Sequence, residues 1–378
     1  MKKNSINLYI ALLILAVLIF SFLTIYSFGE DEGKKINVSA HSALLYQPET
    51  EIYLYLKNAD ERMPMASTTK IMTALVALEE SELTDLVLVN DSAIGTEGSS
   101  AYLRQGDILT MNELLYALLL QSANDAAVAI ACHIGGDIEG FASLMNARAE
   151  KLGLTNTHFT NPHGLDEKEH YTTARELAII AAEALKNQTF RDIVSTYKKS
   201  FVSEERSRTY VNHNKLLQLY DGCIGVKTGY TKTSGRCLVS AAERNGLTFI
   251  SVTLDAPSDW NDHKSMLDYG FSRLERLVFL NAHDYSYKIP LIDGESDFIT
   301  VLNKDSASII TEKKQHNIKE YIELSRFAIA PVYEGDILGE IIYTLDGNEA
   351  ARVTLTAKET VLKKKEKGFF DRFLSIFK

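Results

Sequence analysis

Hydrophobic and polar positions change their spacing several times along this 378-residue chain. Residues 4–29 carry no charged side chain, and the apolar run from Leu8 to Phe28 is long enough to span a bilayer. Ser42–Tyr46 and Ile52–Lys57 then flank Gln47-Pro-Glu-Thr50, which predicts two strands joined by a turn. Pro64 opens a helical run from about Met65 to Glu80. Thr110-Met-Asn-Glu113 forms a capping box ahead of an apolar helix that ends near Gln121. Further helices are predicted at 138–152, stopped by Gly153, and at 173–186, where Thr173 and Glu176 repeat the capping box. Cys237–Glu243 and Leu247–Leu254 are β-rich runs joined through Asn245-Gly246, a tight-hairpin signal, with Ile224–Thr228 as the neighbouring strand. A helix from about Asp259 to Phe279 is expected to close this region.

From about Asn281 the pattern becomes wholly β. Short stretches such as Ile299–Leu302, Ser308–Thr311, Tyr321–Leu324, Leu338–Tyr343 and Ala351–Leu355 alternate with Asp293-Gly294, Glu334-Gly335 and Asp346-Gly347 turns, which predicts a small sandwich. In the last residues Lys363, Lys364, Lys365 and Lys367 precede Phe369, Phe370, Phe373, Leu374 and Phe377. On a helix these aromatics share one face, which suits an anchor lying on anionic lipid. The expected organisation is a signal peptide or membrane segment at 1–29, a catalytic domain at 30–279, a β-sandwich at 280–358 and an amphipathic membrane anchor at 359–378. The fold class is α+β, an antiparallel sheet flanked by helices and followed by a small all-β domain.

Charge sharpens this picture. Lys2 and Lys3 precede the first apolar run and Glu30, Asp31 and Glu32 follow it, which places the remaining chain outside the cytoplasm. Ser27 and Gly29 are small residues at positions suited to signal cleavage. A net charge of −10 argues against a nucleic-acid partner, because phosphate contacts need clustered cations. Three cysteines, Cys132, Cys223 and Cys237, are an odd count and fit free buried thiols better than a disulfide framework. The nine histidines show no metal-binding spacing, and no cofactor or metal is called for.

The chemistry lies in three short motifs. Ser67 and Lys70 are three apart and share a helix face, Ser122-Ala-Asn124 follows a helix end, and Lys227-Thr-Gly229 lies on a predicted strand. S-x-x-K also occurs at Ser195/Lys198 and Ser375/Lys378, but Lys-Thr-Gly occurs once. A serine needs a base within hydrogen-bond reach, and a lysine is a base only when burial or a nearby cation lowers its pKa. Lys227 supplies that cation in this reading. Ser67 is then the nucleophile, Lys70 the general base and Ser122 a proton relay, while Asn124 orients Lys70 and substrate. Lys227 and Thr228 suit a substrate carboxylate, and Gly229 permits a substrate strand to approach the sheet edge.

This ordered set is the one shared by penicillin-binding proteins and class A β-lactamases. The longer stretches Ala66-Ser-Thr-Thr-Lys-Ile-Met-Thr-Ala74, Asn161-Pro-His-Gly-Leu165, Tyr171-Thr-Thr-Ala-Arg175, Asn212-His-Asn-Lys-Leu-Leu217 and Gly225-Val-Lys-Thr-Gly-Tyr-Thr231 resemble the low-molecular-mass penicillin-binding D-alanyl-D-alanine carboxypeptidases. The similarity covers about residues 38–275, and the β domain and tail also resemble that family's arrangement. It implies that peptidoglycan stem peptides and β-lactams acylate Ser67, that water then hydrolyses the ester, and that the backbone N–H of Tyr230 completes the oxyanion hole. The enzyme would act on the outer face of the bacterial cytoplasmic membrane. Ala123 departs from the glycine of many members and is tolerated unless the loop needs a positive φ there. The alternatives are a β-lactamase-like hydrolase, with Asp166, Glu167 or Glu169 holding a water, and a non-catalytic penicillin-binding sensor.

Overall fold

The computed structural model describes residues 36–202 and 206–365. The predicted N-terminal segment at 1–29 and the aromatic part of the predicted C-terminal anchor lie outside these residues. Among the described residues no single helix is long and apolar enough to cross a membrane.

A five-stranded antiparallel sheet organises the region up to Arg273. Its strands are β1 (Ser42–Gln47), β2 (Ile52–Lys57), β3 (Cys223–Thr231), β4 (Gly235–Arg244) and β5 (Leu247–Leu254), in the spatial order β2-β1-β5-β4-β3. The principal helices are α1 (Lys70–Glu80), α2 (Met111–Leu120), α3 (Asn124–Gly135), α4 (Ile138–Lys151), α5 (Ala174–Lys186) and α6 (Asp259–Arg273). Helices α5 and α6 both pack on β5, which explains why that strand is buried along nearly its whole length rather than at alternate positions. Helix α1 runs between α2, α4 and α5 and is buried from Lys70 through Ala77. A lysine at the head of a buried helix must be neutral or paired. The fold therefore sets the electrostatic problem that the site solves.

Two predicted elements differ in detail. The capping box at Thr110 is complete, with Glu113 N–H donating to Thr110 and Thr110 N–H to the Glu113 carboxylate. At Thr173 only one arm forms, Glu176 N–H to Thr173 Oγ1 at 3.1 Å. The Glu176 carboxylate turns away to accept from Thr155 N–H (3.0 Å), Asn156 N–H (2.9 Å) and the buried Thr157 hydroxyl (2.5 Å), three donors in place of the single backbone N–H of a capping box. The helix expected to reach Phe279 ends at Arg273. Leu274–Leu280 is a strand paired with Ala307–Glu312, and Phe279 stacks on Tyr343 with ring centroids 5.0 Å apart. Tertiary packing onto the β domain overrides local helical pattern there.

The C-terminal region is all β. Its six-stranded sheet has the order 318–324, 337–345, 348–357, 298–303, 286–292, 328–329. The 274–280/307–312 ribbon covers one apolar cluster with Ile341, Tyr343, Val353 and Leu355, while Ile289, Ile299, Val301 and Ala357 centre a second. All three cysteines are free, with Cys237 buried and Cys132 and Cys223 half-buried.

Candidate active site

Pro64 leads into a 3-10 turn, Ala66–Thr69, and the α-helix proper starts only at Lys70. Ala66 enters the turn at φ +46°, a left-handed conformation that L-residues seldom adopt. Two threonine hydroxyls hold it there, Thr68 donating to Met65 O at 2.6 Å and Thr69 to Ala66 O at 2.8 Å. Ser67 sits half-buried on this turn, with Lys70 beneath it.

The Lys70 amine is wholly buried and has three neighbours: Asn124 Oδ1 at 2.6 Å, His163 O at 2.6 Å and Ser67 Oγ at 3.0 Å. Asn124 Nδ2 donates to Glu97 O, which fixes its oxygen toward Lys70. The first two partners are pure acceptors. A neutral amine spends its two N–H groups on them, and its lone pair then faces the Ser67 hydroxyl. Burial, and after it the charge of Lys227, holds the Lys70 amine far below the usual lysine range, with Asp125 opposing weakly. Geometry and charge thus both prepare Lys70 to accept a proton from Ser67.

The second motif packs against this pair. Asn124 is the first residue of α3, and its N–H donates to Ser99 O at 2.7 Å. Ser122 is buried, two residues upstream, at φ +59°, whereas Ala123 sits at φ −64°. The left-handed residue of the loop is therefore the serine, and alanine at 123 carries no strain. Asp125, whose role the sequence did not announce, accepts from Ala101 N–H (2.9 Å), Leu103 N–H (3.0 Å) and the Ser100 hydroxyl (2.6 Å). It ties the loop beside Asn124 to α3.

The third motif lies on β3, an edge strand of the sheet. A β-carbon on Gly229 would sit 3.0 Å from Ser67 N and 3.1 Å from Ala66 Cβ. The close approach expected at Gly229 is thus made first by the nucleophile turn itself, since the strand must lie flush against Ser67. Lys227 is buried and, among the described residues, donates only to Thr228 O, at 2.9 Å. Burial brings its pKa down to about 7. Among the described residues no carboxylate forms an ion pair with Lys227, so the charge it carries when protonated is open to an anionic ligand.

A loop the sequence flagged without a role closes the site from below. Asn161 Oδ1 accepts from His163 N–H (3.3 Å) and Gly164 N–H (2.7 Å), which turns the His163 carbonyl onto Lys70. Gly164 has φ +88°, and a β-carbon there would lie 1.9 Å from Ala66 O. His170 bridges from Thr160 N–H (3.1 Å) to the Thr69 hydroxyl (2.8 Å), and burial pushes its imidazole down to about 4, so it stays neutral. Asp166 Oδ1 receives the Thr231 and Ser234 hydroxyls, each at 2.9 Å, and clasps the loop to the end of β3.

Residues 30–258 match the sequence family described as D-alanyl-D-alanine carboxypeptidase, and residues 279–363 match penicillin-binding protein 5, C-terminal domain. The chain belongs to the D-alanyl-D-alanine carboxypeptidase family. It is similar to D-alanyl-D-alanine carboxypeptidase DacF of Bacillus subtilis, 33% identical over 366 residues, covering 93% of this chain and 94% of that one. Among solved structures, penicillin-binding protein 5 from Haemophilus influenzae is 28% identical with a TM-score of 0.63, covering 87% of this chain and 99% of that one. The Streptomyces K15 DD-transpeptidase is 37% identical with a TM-score of 0.60, covering 63% of this chain and 99% of that one. Membership makes this chain a serine-type D-alanyl-D-alanine carboxypeptidase, a hydrolase of the penicillin-binding class.

Proposed function

We propose that Ser67 is the nucleophile through which this carboxypeptidase removes the terminal D-alanine from peptidoglycan stem pentapeptides. The observation that carries the assignment is the Lys70 amine, held by two acceptors with its third position at Ser67 Oγ. Lys227 and Thr228 receive the substrate's terminal carboxylate, and the peptide lies antiparallel to the free edge of β3. Ser67 Oγ attacks the carbonyl between the two D-alanines and passes its proton to Lys70. The backbone N–H groups of Ser67 and Tyr230 face the developing oxyanion. The C–N bond then breaks, the departing amine takes a proton relayed through Ser122, and an ester remains on Ser67. Water, deprotonated by Lys70, cleaves that ester. A β-lactam presents the same carboxylate and carbonyl and acylates the same oxygen.

A β-lactamase-like deacylation needs a carboxylate to hold the water. Asp166 is engaged with Thr231 and Ser234, Glu167 accepts from Asn161, and none of the described hydrogen bonds joins a carboxylate to Ser67 or Lys70. Slow release of β-lactams follows from this. The enzyme works outside the cytoplasm, and the C-terminal lysines and phenylalanines hold it on the outer face of the membrane. Release of D-alanine from diacetyl-L-Lys-D-Ala-D-Ala, abolished in Ser67→Ala, supports the assignment. Unchanged release in that variant refutes it.

A further inference from the structure

The last strands of the β domain leave an apolar face uncovered. Ser286–Ile292 pairs antiparallel with Phe298–Asn303 and parallel with Ala328–Ile329, so Pro290 lies opposite Phe298 and Ile292 opposite Ile329. Side chains directly opposite share a face, and so do residues two apart on one strand. Pro290, Ile292, Phe298 and Ile329 therefore form one surface, while the alternate residues Ile289, Leu291, Ile299 and Ala328 fill the core beneath. Phe298 is 53% exposed and Ile329 60%, and Phe327 stands exposed beside them. Contiguous apolar side chains of this size mark an interaction site, whereas scattered ones do not.

The chain leaves the domain at this face. Val332 and Val361 exchange backbone hydrogen bonds, Glu295 N–H donates to Leu362 O at 2.9 Å, and Lys364 N–H donates to Asp293 O at 2.8 Å. Lys364 is thus tied one residue beyond Ile292. Phe369, the first aromatic of the C-terminal segment, follows five residues later, at most about 18 Å of extended chain. With those phenylalanines in the membrane interface, the apolar face cannot stand far from lipid. Its charge fits the same surface. Lys288, Arg326, Lys363, Lys364 and Lys365 are exposed around it and outnumber Asp293, Glu295 and Asp297 of the adjoining turn, a balance that favours anionic headgroups. Tyr321 and Ile322 are also exposed, but they lie on Ile318–Leu324, the other edge strand of the sheet.

We propose that this face of the β domain is a second membrane contact, in which Phe298, Ile292, Phe327 and Ile329 enter the interface of an anionic bilayer beside the C-terminal segment. The inference rests on the C-terminal anchoring proposed above and goes beyond it. A single point of attachment lets a domain turn about it, whereas a second one carried on a folded sheet fixes the domain's orientation to the bilayer. The surrounding lysines and Arg326 meet the lipid phosphates while the apolar side chains pass between them.

The test uses the full chain and vesicles of phosphatidylglycerol and phosphatidylethanolamine with brominated acyl chains, which quench tryptophan on contact. The chain has a single tryptophan, Trp260 on α6, whose emission in wild type gives the background. Phe298→Trp, Ile322→Trp and Phe369→Trp then report separately on the proposed face, the opposite edge strand and the C-terminal segment. On adding vesicles, the emission gained in Phe298→Trp and in Phe369→Trp should shift to the blue and be quenched, and that in Ile322→Trp should not. Ile329→Glu placed in the Phe298→Trp chain should abolish the quenching there. Amide hydrogen exchange of wild type, which needs no substitution, should slow at 290–298 and 327–329 and stay unchanged at 318–324. Quenching of Phe369→Trp alone, with no protection at 290–298, would overturn the proposal and leave the anchor standing. Blue-shifted Phe298→Trp emission before vesicles are added would also overturn it, by assigning the face to this chain's own C-terminal segment or to a second copy. Quenching of neither reporter would remove the anchoring assignment as well.

Discussion

Replacement of Gly164 by alanine tests whether the loop beneath the site sets the position of the nucleophile. The new β-carbon would lie 1.9 Å from Ala66 O and 2.5 Å from Ala66 C, while real β-carbons do not approach closer than 3.0 Å. The loop and the Ser67 turn must therefore part by about 1.1 Å, the difference between those two distances. Misplacement of reacting groups by about 1 Å costs about a hundredfold in rate, or about 2.7 kcal/mol of barrier. The left-handed φ of +88° adds conformational strain, about 1–2 kcal/mol, which lowers Tm by a few degrees. Gly153→Ala separates the two effects, because Gly153 has φ +74° but nothing within 4 Å of its β-carbon. The assay is the second-order rate of acylation by a fluorescent penicillin. Gly164→Ala should fall about a hundredfold below wild type, and Gly153→Ala should lose stability only. Equal acylation by the two variants would refute the argument that this contact positions Ser67.

Other expectations follow from the same geometry. Asn124→Ala removes one acceptor of the Lys70 amine and should lower kcat/KM about ten- to a hundredfold, by the worth of a charged hydrogen bond, with little change in Tm; a change in Tm alone would contradict it. Asp125→Ala strands the buried N–H groups of Ala101 and Leu103, and should destabilise by about 2–5 kcal/mol in urea unfolding; a loss below 1 kcal/mol would contradict it. Lys227, brought down to about 7 by burial, is charged in the free enzyme only below that pH. For a carboxylate-terminated peptide, kcat/KM should therefore fall as pH rises through about 7, and Lys227→Arg should keep this limb flat. The stability effect has the opposite sign. An unfolded lysine titrates near 10.4, so between about 7 and that value the unfolded chain binds more protons and stability rises with pH. Thermal unfolding between pH 7 and 9 should show this rise in wild type and a smaller one in Lys227→Met.

Much of the site was legible because its chemistry is local in sequence. Ser67 and Lys70 are one turn apart, and Lys-Thr-Gly lies within a run that can only be a strand. What was hidden depends on contacts between distant segments. Asn161 and Gly164 act by aiming a backbone carbonyl at Lys70 from 93 residues away, and no side-chain pattern encodes a carbonyl's direction. Asp125 looks like an ordinary first-turn acid until its donors at 100–103 are placed. The closeness of Gly229 to Ser67 is visible only when β3 and the turn are docked. Leu274–Leu280 misled because its apolar run suits either period, and the choice was made by the ribbon partner Ala307–Glu312.

The central claim is that Ser67, activated by Lys70, carries the acyl group. Intact-mass and peptide mass spectrometry of the full chain after brief exposure to benzylpenicillin tests it most directly. The account predicts one added penicilloyl group on the peptide containing Ser67, absent in Ser67→Ala and slow to form in Lys70→Met. Acylation that persists in Ser67→Ala, or a label at Ser122, would contradict it.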